Sequence, residues 1–296
     1  MTAFLPPSRL RPLPRSVAPL HRESKDSYIE RLAMANRLFP DDLHDQLAGP
    51  RPFRTDRIPL PAALAQAASQ PLVRLLLALP DLASADFTAL LPPACRDRLN
   101  PGWSLRPVCA LCLAAKRVRH ARHWTPPGTA LCLRHCRWTG AHGQQFAVTA
   151  LPEIIQAQRR HYRLIRRHGW RDAARAMDDA LRICGTWWDN RRFTKALDRR
   201  RGVLRDPAWA GHGQSLTLAA CGYPEVVALA DLFLTPALRA LPFTGSTGDY
   251  RRFVQEVRDR AAPGYWDDKI ASNDPLTFWI EAERHHHTQI GGHPRL

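Results

Sequence analysis

Cys109, Cys112, Cys132 and His135 fall in the spacing C-x2-C-x19-C-x2-H. Donors three positions apart can share one tight turn, and two such turns can bring three thiolates and an imidazole around a single ion. Ligands of those types at that spacing are what a tetrahedral, structural Zn²⁺ needs, and four protein donors leave no open position for a substrate. His120, His123 and Cys136 lie close by and compete for a place in the set. The pairing of C-x2-C with C-x2-H is preferred because its two halves then have the same form. Residues 100–150 also need a tie, since they carry few large apolar side chains, too few to offset the entropy of ordering them. Bound zinc would contribute on the order of 10 kcal/mol to a small module of this kind.

Other chemistry finds no support in the residues. A zinc deaminase would pair H-x-E with P-C-x-x-C, and Val108, not proline, precedes Cys109. Gly245-Ser-Thr-Gly248 has no lysine to make it a phosphate loop, and no H-E-x-x-H is present. Cys184 and Cys221 sit in apolar helical patterns and read as buried, inert thiols. His285, His286 and His287 are consecutive, would point in different directions on a helix, and read as a solvated tail. Trp124, Trp138, Trp187, Trp188 and Trp209 read as core or interface anchors. The expectation is a protein without enzymatic activity.

The elements that must position the cysteines are helical. A Pro- and Arg-rich arm over 1–22 cannot form regular helix. Ser24 is a candidate N-cap for a helix running through Tyr28, Ile29, Leu32, Ala35 and Asn36. Pro40 with Asp41 and Asp42 opens a short helix through Leu43 and Leu47. Leu64, Ala67 and Ala68, then Leu72, Leu75, Leu76 and Leu79, give two short helices with a turn near Ser69–Pro71, closed by Pro80. That pair reads either as a helix-turn-helix or as a plain core hairpin, the commoner case. Beyond the cysteines a helix over 152–168 buries Ile154, Ala157, His161, Leu164 and Ile165. Arg159, Arg160, Arg163, Arg166 and Arg167 lie on its other face, and Gly169 ends it in a left-handed cap. A second helix begins near Asp172, carries Ala173, Met177, Ala180, Leu181, Cys184, Trp187 and Trp188, and continues toward Arg201. Further helices are expected over 224–241, 249–261 and 275–285. The only strands expected are short pairs around the metal, and no fixed-period repeat is visible.

At 296 residues, 45% hydrophobic and 24% charged, the chain has the composition of a folded globular protein of two or three units. The longest apolar run is placed at Leu72–Leu79, interrupted by Arg74 and far short of the ~20 residues of a membrane span. Prolines 6, 7, 12 and 14 interrupt any signal-peptide core. Four of the seven cysteines crowd between 109 and 136, which favours a metal site in a reducing cytoplasm over a disulfide framework. The net charge of +16 is concentrated. Residues 101–201 hold 21 Lys+Arg against 6 Asp+Glu, whereas 1–100 hold 13 against 10 and 202–296 hold 9 against 11. A localised excess of this kind suits a polyanion, nucleic acid above all.

Several stretches carry a resemblance. LPRSVAPLHRESKDSYIERLAMAN (Leu13–Asn36), ALPDL (Ala78–Leu82) and the CALC and CLRH knuckles closely resemble the TniQ family. LPEIIQAQRRHYRL (Leu151–Leu164) and DPLTFWI (Asp274–Ile280) resemble its actinobacterial branch. The resemblance implies an adaptor that helps choose the target in DNA transposition, beside an AAA+ ATPase and a separate transposase, with some relatives docking on a guide-RNA complex. It also implies an N-terminal helix-turn-helix-like domain, with Cys109, Cys112, Cys132 and His135 as metal ligands. Many relatives carry a second C-x-x-C soon after the first site; here Cys136 is followed by no further pair, so one metal is expected.

Together these readings give a mainly α, multi-helix protein with a helix-turn-helix-like N-terminal unit and a small zinc-knuckle insert. The expected parts are an arm and helical domain at 1–99, a knuckle module at 100–150, a basic helical segment at 151–202 and a helical region at 203–296. The expected function is a cytoplasmic, zinc-stabilised, DNA-associated adaptor whose arginines at 159, 160, 163, 166 and 167 meet phosphates. A protein-interaction scaffold and a transcriptional regulator reading DNA through its N-terminal helices are the alternatives.

Overall fold

Ser24 does what its sequence position requires: its side chain accepts from the Ser27 N–H and starts α1, Lys25–Ala35. The computed structural model describes residues 11–48, 59–82, 85–92, 103–140, 144–190, 194–204, 214–262 and 273–291. Trp209 lies outside them, as do the side chains of His286 and His287. The described chain is mostly α-helical with short strands. It divides into two units, Met1–Pro127 with Thr139–Gln145 and Gly128–Trp138 with Phe146–Leu296.

In the first unit α1, α2 (Pro40–Ala48), α3 (Leu60–Ala68) and α4 (Leu72–Ala78) close on one apolar core. Tyr28, Ile29, Leu32, Leu64, Leu75 and Leu76 are fully buried in it. A 3-10 turn, Pro80–Leu82, ends α4, and Asp81 accepts from the Lys25 N–H at 2.9 Å, tying that turn to the start of α1. A short α5, Ala85–Thr88, follows. The proline-rich arm is non-helical over 11–20 and is strapped across the helices. Ser16 Oγ donates to Ala68 O, Tyr28 Oη to Val17 O and an Arg31 Nη to Ala18 O. Strands β1 (Ser104–Pro107) and β2 (Arg122–Thr125) form an antiparallel pair, and β2 bridges Glu23 on its other side. The hairpin is thereby stitched to the entrance of α1. Buried Glu23 takes two 2.7 Å bonds from Arg31 there and a third from the Leu20 N–H.

In the second unit α7 (Pro152–His168), α8 (Trp170–Asp189), α9 (Thr194–Val203), α10 (Gln214–Leu234) and α12 (Thr247–Ala261) share one core, with α10 packed against the other four. Helices α11 (Pro236–Ala240) and α13 (Pro275–Gly291) complete it. Asp274 starts α13 by accepting from the Leu276 N–H, and its carboxylate also receives Nε1 of the buried Trp187 at 3.2 Å.

Four expectations need correction. Pro224 lies inside α10 rather than opening a helix. On the same turn Trp188 packs against Gly222, where a Cβ would fall 2.1 Å from its ring. Buried Arg200 donates to the Cys221 carbonyl beside the proline and holds Glu225 with two 2.7 Å bonds. Gly169 has positive φ but extended ψ (82°, 161°), so it links α7 to α8 as a conformation reserved for glycine and not as a left-handed cap. Leu181 is 49% exposed, because the buried stripe of α8 runs through Ala176, Ala180 and Ile183. Finally, the most membrane-like stretch is Thr217–Leu234 in α10 and not Leu72–Leu79. It is long and apolar enough to span a bilayer by length and composition, but 67% of it is buried, the place of a core helix.

Candidate metal centre and basic helix face

Cys109 is the N-cap of a short helix, α6 (Ala110–Ala115), and Cys112 sits in its first turn, so the two thiols lie on one side of the turn. Two features fix this half. Gln145, at the start of β5 (Gln145–Ala147), brackets Cys109: its Oε1 accepts from the Ala110 N–H at 2.8 Å and its Nε2 donates to Val108 O at 3.1 Å. At the far end Arg117 takes φ 54° while its N–H bonds Ala114 O and the Val118 N–H bonds Leu113 O, a Schellman cap with arginine in the left-handed position. Leu113 and Val118 meet in a small cluster with Leu20 and Ala121.

Cys132 ends β3 (Leu131–Cys132), and His135 lies in the four-residue loop that returns to β4 (Arg137–Thr139). The register pairs Leu131 with Trp138 and Cys132 with Arg137. This hairpin is anchored on the second unit's helices. The Leu131 N–H donates to buried Gln158 of α7, and Trp138 packs edge-on against Tyr223 of α10 at 5.2 Å. Tyr223 Oη in turn lies 2.7 Å from His161 Nδ1, and burial lowers the His161 pKa to about 4, leaving the ring neutral.

The four donor atoms all lie within 4.8 Å of one another, a group that could hold a metal ion. Around a tetrahedral ion with bonds of ~2.0–2.3 Å, neighbouring N and S donors are ~3.5–3.8 Å apart. Cys132 Sγ and His135 Nδ1 stand 3.7 Å apart, already at that spacing. Cys109 is buried and the other three are half-buried. The competing ligands are drawn elsewhere: His120 Nε2 lies 3.0 Å from Glu30, and Cys136 Sγ faces Leu133 O. His123 stands in β2 opposite Arg106, its pKa lowered to about 4 by burial and then by Arg22, His21 and Arg106. Cys184 and Cys221 are buried, and burial raises both thiols, Cys221 to about 11. Neither is an activated nucleophile.

Of the five arginines on α7, Arg159, Arg163, Arg166 and Arg167 are exposed and make no ion pair among the described residues. Arg160 turns to Asp231 of α10, with Nε 2.8 Å from the carboxylate. Much of the neighbouring basic surface is likewise spent within the unit. Arg175 and Arg239 meet Glu283, Arg182 meets Asp178 and Asp179, and Arg199 meets Glu153. Sequence reading had no signal for Gln145 or Gln158, whose side chains fix the two cysteine turns from elements far away in the chain.

Fold and site together define a helical protein with a Cys3His group set between two short turns. Residues 14–137 match the family described as TniQ, and over this region the chain is similar to that family. The match includes α1 and all four donors and stops before α7, so the stretches 151–164 and 274–280 lie outside it. No curated protein and no solved structure matches the chain.

Proposed function

We propose that the chain is a non-enzymatic, zinc-stabilised adaptor of DNA transposition, helping to choose the target. The observation that carries this is the coincidence of the TniQ match with a complete Cys3His group inside it. Soft thiolate donors in a closed set of four suit Zn²⁺ and disfavour hard cations. Zinc held there supplies cohesion to a segment short of apolar core. Gln145 and Gln158 bond the backbone of the two turns.

Supporting the DNA contact are the four α7 arginines that are exposed and make no ion pair among the described residues. They would lie along a phosphate backbone and give salt-sensitive affinity with little sequence information. Any sequence choice would come from α3 and α4 or from a partner, for which the family suggests an AAA+ ATPase and a transposase. Two measurements on the purified chain test the reading: mobility-shift titration with unrelated duplexes in rising salt, and co-purification with such an ATPase. Binding to the ATPase alone would favour a scaffold, and binding to neither would end the proposal.

A further inference from the structure

A groove of about 550 Å³ in the first unit is lined by none of the cysteines and by no residue of α7. Its size is that of a ligand or peptide site. Three pieces of chain form it: residues 16–20 of the arm, the Arg31, Met34 and Ala35 face of α1, and the turn at 116–120. The arm's wall is preformed, since Ser16, Val17 and Ala18 are each held by a side-chain bond to a helix residue. Val17, Leu20, Met34 and Val118 give the groove an apolar floor, and Met34 is 46% exposed. On the rim stand Lys116, Arg117 and Arg119, exposed and without an ion pair among the described residues. The other charges facing it are satisfied, Arg31 by Glu23 and His120 by Glu30.

An apolar floor under three free cations selects its occupant by charge and shape. Among the described residues no Trp, Tyr or Phe lines the groove, so these offer no stacking platform for nucleobases, and phosphates would use the rim but leave the floor exposed. The chain's own first ten residues contain no Asp or Glu and one Arg, which does not complement the rim. We propose that the groove docks an acidic peptide segment of a partner protein, one aliphatic side chain seated on the Met34 floor and its carboxylates on Lys116, Arg117 and Arg119. Charged side chains at such a rim fix orientation and partner choice, while the desolvated anchor supplies most of the affinity. The proposal goes beyond the adaptor reading and does not need α7 to bind DNA.

Fluorescence anisotropy on the full-length protein at physiological salt tests it, with a short fluorescein-labelled peptide alternating glutamate and leucine as probe. A glutamate–alanine peptide is the comparator. Saturable binding of the first is expected, weakened about tenfold or more when leucine is replaced by alanine. Lys116→Glu/Arg119→Glu and, separately, Met34→Glu should each weaken it by a similar factor, with melting and metal content unchanged. Met34 is half in solvent, so its variant keeps the test open if the double variant fails to fold. Reversal of Arg159, Arg163 and Arg166 should leave peptide binding intact, and the groove variants should retain duplex binding. Absence of saturable binding, equal affinity for the alanine peptide, or equal loss on reversing α7 would each overturn the proposal.

Discussion

Reversing three of the exposed α7 arginines, as Arg159→Glu/Arg163→Glu/Arg166→Glu, should change how duplex affinity depends on salt by a calculable amount. The first and last of these lie seven residues apart on α7, about 10 Å along its axis. That length faces about three phosphates of one strand at ~3.4 Å spacing. Each neutralised phosphate contributes about 0.9 to the slope of log affinity against log salt, so the slope should become shallower by about 2.7. Over a fourfold rise in salt, wild type then loses about fortyfold more affinity than the variant does. Anisotropy titrations on two unrelated duplexes at several salt concentrations measure this, and both duplexes should respond alike. Arg160→Glu is the internal control. Its guanidinium is bound to Asp231, so it should cost about 1–2 kcal/mol of stability with the slope unchanged. An unchanged slope in the triple variant, or a change caused by Arg160 alone, would refute the assignment of phosphates to this face.

Four further outcomes follow from named contacts. Cys132→Ser or His135→Ala should abolish stoichiometric zinc, read by elemental analysis, and expose 103–140 to limited proteolysis. Arg200→Met leaves Glu225 buried without its partner and should cost about 3–5 kcal/mol, whereas adding Glu225→Leu should recover part of it; denaturant melts decide. Arg37 and Arg117 hold left-handed caps with φ 58° and 54°, so Arg37→Gly should raise stability by about 0.5–1 kcal/mol, whereas Gly222→Ala should lower it by about 1–3. His161 has a folded pKa lowered to about 4 against 6.5 unfolded. Its contribution is therefore complete above about pH 6.5 and falls toward pH 4 as the unfolded chain takes up the proton, by up to about 3 kcal/mol. His161→Phe should flatten that part of the stability profile, and His123, similarly lowered in the other unit, should account for what remains.

Much of the helical scaffold was legible because its signals are local. Ser24, Pro40, Pro152 and Pro275 mark starts at or within one residue of the observed ones, and the stripes through Leu64, Leu75, Ile154 and Trp187 are buried as their period requires. The metal group was legible because two short-range spacings carry it. What escaped depends on distant partners. Three helices end in Schellman caps at Arg37, Ser69 and Arg117, and none of these is a glycine; the bonds that hold them there come from the packed core. Pro224 reads as a helix start until Trp188, folded back from α8, covers the turn at Gly222. Leu181 belongs to an apolar run, yet the α8 stripe rotates past it once Trp187 and Cys184 are fixed in the core.

The basic middle third illustrates why a charge count cannot by itself name a partner. Three populations stand out among its described cations. Arg160, Arg175, Arg182, Arg199 and Arg200 are paired with carboxylates of their own unit, and their contribution to long-range attraction is largely cancelled. Lys116, Arg117 and Arg119 crowd one short turn above an apolar floor, a geometry that rewards an acidic protein segment over a uniform polyanion. Arg159, Arg163, Arg166 and Arg167 stand exposed on α7 and make no ion pair among the described residues, the set on which the proposed phosphate contact rests. A single polyanion bound by all three groups would make the effects of the groove and α7 variants on duplex affinity comparable. Two separate jobs would make them independent, with additive free energies, because the sets belong to different units. Combining the Lys116/Arg119 and Arg159/Arg163/Arg166 reversals in one chain, and measuring duplex and peptide affinities in parallel, decides between the two arrangements.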